Sequence, residues 1–160
     1  MKGNYQIQRA TEDDVAPITQ LLKEVAAWLK IKEVNQWGFL LAGGEDEEIR
    51  QAILDGATYA VWLDGDLIAT FTLYATQSEW DQHIWGSEDH EDVLYLHRLA
   101  VRPAYMGKEI GQELLKWIEE NLDKTIRLDC VSNHPKLRTF YIDNGFKEVG
   151  HNDGHCKMQK

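Results

Sequence analysis

Residues 93–120, VLYLHRLAVRPAYMGKEIGQELLKWIEE, decide the fold of this chain. The segment VLYLHRLAV (93–101) is apolar enough for a strand buried inside a sheet. Arg102-Pro103 closes it, because proline has no N–H to give to a central ladder. After a short glycine-containing loop, a helix is predicted from about Ile110 to Asn121. It places Ile110, Leu114, Trp117 and Ile118 on one buried stripe. A buried strand, a loop and a helix start together make a place for phosphate. The first helical N–H groups lack partners, and the helix dipole adds partial positive charge. Gly107 and Gly111, four apart, let backbone approach a ligand closely. Taken alone, Gly-x-x-x-Gly before a helix is more often a plain turn.

The flanking sequence supplies the rest of a layered domain. An alternating strand spans Tyr5 to Ala10, and Thr11 reads as an N-cap with Asp13 and Asp14 in the first turn. Val15, Ile18, Leu22, Val25 and Leu29 then mark an amphipathic helix. IKEVNQWGFLLAGG breaks that period and reads as a loop into a second helix, from about Glu45 to Leu54. TYAVWL (58–63) and LIATFTL (67–73) flank Asp64-Gly65-Asp66, a strong hairpin signal. The polar, acidic stretch 76–92 reads as a long connection. Beyond the central segment come a strand at 125–131 and a helix from Pro135 to about Asp143, ended by Asn144-Gly145. Two short strands follow, Phe146 to Gly150 and His155 to Gln159. The order β-α-α-β-β-β-α-β-α-β-β predicts a single α/β domain over residues 1–160, with helices covering a mixed, partly antiparallel sheet.

Composition excludes several function classes. A net charge of −10 would repel a nucleic-acid partner and attract a cationic small molecule. Solubility alone is the plainer account of that charge. No apolar run approaches the roughly 20 residues that span a bilayer. MKGNYQIQRA has no apolar stretch of the signal-peptide kind. Cys130 and Cys156 are the two cysteines, too few for a disulfide framework. These features predict a cytoplasmic protein with no membrane or nucleic-acid partner.

Two ordered motifs then carry a family resemblance. LHRLAVRPAYMGKEIGQELL, beginning at Leu96, resembles the acetyl-CoA signature of the GNAT superfamily of N-acetyltransferases. The usual form is a strand ending in Leu-Ala-Val, then x-Pro-x-Tyr-Arg-Gly-x-Gly-Ile-Gly and a helix with paired leucines. NHPKLRTFYIDNGFKEVG, beginning at Asn133, is similar to the family's later helix with its Tyr-x-x-x-Gly-Phe ending. The resemblance implies a GNAT-type fold and acetyl-CoA as cosubstrate. It also implies that backbone groups of Leu99, Ala100 and Val101 hold the pantetheine arm and thioester. The segment Met106, Gly107, Lys108, Glu109, Ile110 and Gly111 would hold the pyrophosphate. The strands at 93–101 and 125–131 would splay apart to admit the cosubstrate. Tyr141 stands at the position of the general acid that protonates the departing thiolate.

The chain departs from the pattern at three places. Met106 replaces an arginine or glutamine and cannot make the charge-assisted bond, an omission worth roughly 1.5–3 kcal/mol. Glu109 replaces a glycine and brings a like charge toward phosphate. His134 stands where an asparagine is usual, and it or Asn133 would cap the helix at Pro135.

The remaining candidates are weighed residue by residue. His97 lies on the strand that would face the acceptor, with an imidazole suited to a general base or to a satisfied core position. Arg98 points the other way and is expected to pair with a carboxylate. Trp37 and Trp85 are candidates for lining the acceptor site, with Trp80 beside them; Trp37 reads equally well as a buried anchor. His151, His155 and Cys156 match no zinc spacing, so no metal is expected. The leading reading is direct acetyl transfer to a primary amine, with a small cationic amine such as a polyamine or aminoglycoside favoured. An inactive acyl-CoA-binding sensor or interaction module is the rival, and a protein N-terminal or lysine acetyltransferase is a third reading. Family habit also makes a homodimer an expectation.

Overall fold

The structure, a computed structural model, describes residues 5–32, 44–87 and 91–160. Its strands are β1 (Tyr5–Arg9), β2 (Thr58–Leu63), β3 (Asp66–Tyr74), β4 (Val93–Val101), β5 (Thr125–Val131), β6 (Lys147–Asn152) and β7 (His155–Gln159). The helices among the described residues are α1 (Val15–Ile31), α2 (Asp46–Leu54), α3 (Glu79–Trp85), α4 (Ile110–Asn121) and α5 (Pro135–Asp143). The strands form a seven-stranded mixed sheet in the order β1-β2-β3-β4-β5-β7-β6. β4 and β5 pair in parallel, whereas β1–β2, β2–β3, β5–β7 and β6–β7 pair antiparallel. The β4–β5 ladder covers three pairs, Val93 with Thr125 through Tyr95 with Arg127, although both strands run on past it.

One element departs from expectation. The connection 76–92 contains α3, where the sequence reading placed no regular structure. Ser78 starts it: its Oγ accepts from the Asp81 N–H at 3.2 Å, while the Asp81 carboxylate accepts from Ser78 N and Oγ. That reciprocal cap satisfies N–H groups a short helix would otherwise leave open. Gly86, at φ 81°, ends the helix after two turns. Seven residues are too few for a helical period to stand out among acidic side chains.

The chain divides into two compact units, residues 1–72 with 98–114 and residues 73–97 with 115–160. In the first, Ile18, Leu21, Leu22, Val25 and Ala26 of α1 pack with Ile49 and Ile53 of α2, Ala60, Leu67 and Ala100. Val15 and Leu29 of the predicted stripe border this core. The β2–β3 turn has positive φ at both Asp64 (50°) and Gly65 (87°), as the twist-matched two-residue hairpin requires. Phe71, fully buried, stacks on Tyr59 with centroids 4.9 Å apart.

In the second unit β5 alternates strictly. Ile126, Leu128 and Cys130 are buried, while Arg127, Asp129 and Val131 take the other face. β7 does the same, burying Cys156 and Met158 opposite His155, Lys157 and Gln159. The register sets Leu128 against Met158 and Cys130 against Cys156, so like faces meet. Burial, with Cys156 close by, pushes the Cys130 thiol up to about 12. No helix among the described residues is long and apolar enough to cross a membrane.

Truncating Phe71 to alanine should cost about 3–5 kcal/mol through lost burial and a residual cavity. For a domain of this size that is a fall of roughly 10 °C in Tm, read by calorimetry. A fall of only a degree or two would mean the Tyr59–Phe71 layer relaxes freely.

Candidate active site

The segment expected to meet the cosubstrate lies in the first unit. Leu99 and Val101 are half-buried at the end of β4, and Ala100 between them is buried. Arg98, just before, has φ 51°, a left-handed residue inside a strand. Such a residue interrupts the ladder and re-aims the backbone groups that follow. Its guanidinium Nη1 lies 3.5 Å from Glu45 Oε2, the expected pairing with a carboxylate.

After Arg102, a short turn at Pro103–Tyr105 delivers Met106 against the α1–α2 core. Met106 therefore packs the loop down instead of offering a charge. Gly107 adopts φ 79° with open space where a Cβ would stand, so conformation and not crowding calls for glycine. Glu109 has φ 62°, also left-handed. This explains why glycine suits the position better, since the conformation costs an L-residue about 1–2 kcal/mol. Lys108 is exposed, with Nζ 5.4 Å from the Tyr105 ring centroid. Ile110 is buried and Gly111 half-buried at the start of α4.

Tyr141 and His97, the acid and base candidates, lie in the second unit. His97 Nε2 is 2.8 Å from Asp81 Oδ1, and Asp81 is 1 % exposed. The Tyr74 ring lies 5.2 Å from the imidazole. Asp129 projects from the polar face of β5, and its Oδ2 accepts from Trp80 Nε1 at 3.0 Å. His155 Nδ1 lies 3.0 Å from the same oxygen without hydrogen-bond alignment. Burial raises the Asp129 carboxyl above its ordinary value; Trp80, His97 and His155 oppose that rise, and Asp81 adds to it.

Tyr141 is buried on α5, edge-on to Phe140 and Phe146. Burial, followed by Cys130 and Asp129, raises its phenol above the ordinary tyrosine range, so it keeps its proton at neutral pH. His134 caps α5, its Nδ1 accepting from Leu137 N at 3.1 Å. Trp85 is half-buried, with Arg127 Cζ 4.5 Å and Lys157 Nζ 5.2 Å from its ring centroid. Trp37 lies outside the described residues.

With this geometry in place, known proteins supply the family. A family model described as acetyltransferase (GNAT) domain matches residues 55–148. An uncharacterised N-acetyltransferase of Bacillus subtilis, YesJ, is 38 % identical over 145 residues, covering 88 % of this chain and 81 % of the relative. The chain belongs to the GNAT acetyltransferases. Another GNAT-like relative, the S-(2-succino)cysteine N-acetyltransferase of Bacillus subtilis, is 29 % identical over 168 residues, covering 99 % of this chain and 94 % of its own. The PaiA N-acetyltransferase of Thermoplasma acidophilum, solved with coenzyme A, shares the GNAT fold at TM-score 0.77 and 18 % identity, over 98 % of each chain. This GNAT chain is accordingly an N-acetyltransferase, in a family with coenzyme A-binding members.

Some groups escaped the sequence reading. Asp81 and Asp129 were not singled out as site residues, although Ser78-x-x-Asp81 has capping-box spacing and Asp129 breaks an apolar strand. His155, grouped by sequence with His151 and Cys156, stands instead against Asp129 and the Trp80 ring edge, 5.0 Å away. Ligand-type atoms of Glu148, His151 and Cys156 lie within 4.8 Å of one another. Arg138 already engages both Glu148 oxygens, and that bond is the leading cause holding the carboxyl down at about 2.

The raised Asp129 carboxyl has a consequence for stability. Folded chains hold its proton at pH values where unfolded chains have released it, so stability falls as pH rises through that window. Asp129→Asn keeps an acceptor for Trp80 and should raise Tm at neutral pH. The gain should vanish below the unfolded value of about 3.9. A lower Tm at pH 7 would show that the charged contacts outweigh burial.

Proposed function

We propose that this enzyme transfers the acetyl group of acetyl-CoA directly to the primary amine of a small, cationic acceptor. One observation carries the reading: His97, the base candidate, stands 2.8 Å from the buried Asp81 carboxylate, with Asp129 a further acidic group on the polar face of β5. A carboxylate so placed suits an ammonium group arriving beside the residues that must handle its protons. The net charge of −10 favours the same acceptors over a nucleic acid or an anionic membrane surface.

In this reading His97 accepts the proton the amine sheds. The amine nitrogen bonds to the thioester carbonyl carbon, and N–H groups near Leu99 and Ala100 stabilise the oxyanion. The C–S bond then breaks, Tyr141 gives its proton to the departing sulfur, and the second proton shed by the nitrogen returns to the tyrosinate. The products are the amide and free coenzyme A. Proximity supplies much of the rate, and no acyl-enzyme is needed. The backbone donors from Met106 to Gly111 would hold pyrophosphate without the usual side-chain cation, so cosubstrate binding is weakened and not abolished. We take residues 1–160 as one catalytic domain, since the family match runs through both units. The buried thiols suit a reducing, cytoplasmic setting.

A second reading of the acceptor rests on Trp85, which has Arg127 and Lys157 over its ring. Those cations suit a carboxylated amino acid, the kind of acceptor named for the S-(2-succino)cysteine relative. An acceptor panel of polyamines, aminoglycosides and S-(2-succino)cysteine decides between them. Faster turnover of the acidic or neutral amines would overturn the cationic reading.

Acetyl-CoA at 100 times its dissociation constant should stabilise the protein by about 2.7 kcal/mol, a rise of roughly 5–10 °C in Tm. No rise at millimolar concentration would leave the fold intact and sink the enzymatic role. Tyr141→Phe should lower kcat by about 10²–10⁴ with cosubstrate affinity kept. An unchanged kcat would remove Tyr141 from the acid role.

A further inference from the structure

Asp81 is among the most deeply buried polar side chains of the chain, and each of its oxygens has an assigned partner. Oδ2 accepts from Ser78 N at 3.2 Å and from Ser78 Oγ at 3.0 Å. Oδ1 lies 2.8 Å from His97 Nε2. Ionised, the carboxylate accepts bonds and donates none. The nitrogen opposite Oδ1 must therefore be the one that carries hydrogen. That leaves Nδ1 of the neutral ring as the lone-pair nitrogen, and no described residue bonds to it.

We infer that Asp81 is the positioning residue of the acid–base chemistry: by holding Nε2–H of His97, it presents Nδ1 as the nitrogen that takes the acceptor's proton. The inference deepens the proposed role of His97 and rests on it. Asp81 touches no substrate and acts through His97. Its burial matters to the assignment. At 1 % exposure the carboxylate has no competing water, so the 2.8 Å bond is a firm constraint on ring orientation as well as on tautomer. The ring is bounded by the Tyr74 side chain at 5.2 Å. From β5, Asp129 adds a further negative charge, itself in contact with His155 of β7. The Ser78 cap fixes Asp81 in turn, so the short helix α3 acts as the bracket for the imidazole.

Asparagine at position 81 tests the idea because it inverts the pattern. Ser78 N–H still requires an acceptor, so the asparagine oxygen stays there and its NH₂ turns toward His97. Nε2 must then accept, the hydrogen moves to Nδ1, and the outward nitrogen is no longer basic. Long-range ¹H–¹⁵N spectra of the imidazole, recorded where it is neutral, should show Nε2–H in the wild type and Nδ1–H in Asp81→Asn. The kcat should fall by about 10²–10⁴, with KM for the amine little changed, and Asp81→Glu should restore part of it.

A wild-type ring carrying its hydrogen on Nδ1 overturns the inference, and this readout needs no variant to fold. A tautomer that switches without loss of kcat overturns it too. His97→Gln separates the two failures. If that variant keeps full turnover, His97 is not the base and the underlying reading falls. If it loses turnover while Asp81→Asn does not, the base stands and only the positioning by Asp81 falls.

Discussion

Strands β5 and β7 are apolar on one face and polar on the other, and the placement of Asp129 and His155 follows from that constraint. Side chains alternate across a strand, so burying Leu128, Cys130, Cys156 and Met158 forces Arg127, Asp129, His155 and Lys157 to the opposite face. A one-residue slip of β5 would bury Arg127 and Asp129, and a slip of β7 would bury His155 and Lys157. That penalty makes the pairing unambiguous. The same alternation that builds the core thus gathers the groups able to handle protons and charge.

The polar face would be open without α3. Trp80 from that helix donates to Asp129, and Asp81 holds His97. Asn152, at the end of β6, donates to the carbonyl oxygens of His83 and Ile84 and secures the helix from the far side. Two turns of helix are barely stable alone in water. Here the cap at Ser78, the buried Ile84 and these side-chain bonds replace length.

Much of this was legible in the sequence because it rests on period and punctuation. The amphipathic stripe of α1, the Asp64-Gly65 hairpin and the start of α5 at Pro135 all lie where local chemistry placed them. The two glycine-bearing motifs led to the GNAT family, which the wider comparison establishes. What escaped notice depends on contacts distant in the chain. Asp81 looks like one acidic residue among many until His97, sixteen positions on, meets it. Asp129 acquires its raised carboxyl from burial, with Asp81 adding to the rise against the opposing pull of Trp80, His97 and His155. Met106 looks like a lost phosphate ligand; its packing on the α1–α2 core gives it a positive role that spacing alone cannot reveal.

That packing has a consequence of its own. An arginine here would be organised chiefly when phosphate arrives, whereas Met106 packs the loop on the core with no ligand present. On the proposed reading, the hydrophobic core would prepare recognition in advance. If the loop holds the acyl donor as we propose, its grip is tied to that core: damage near Ile18 or Ile53 should weaken the hold in a chain that is still folded.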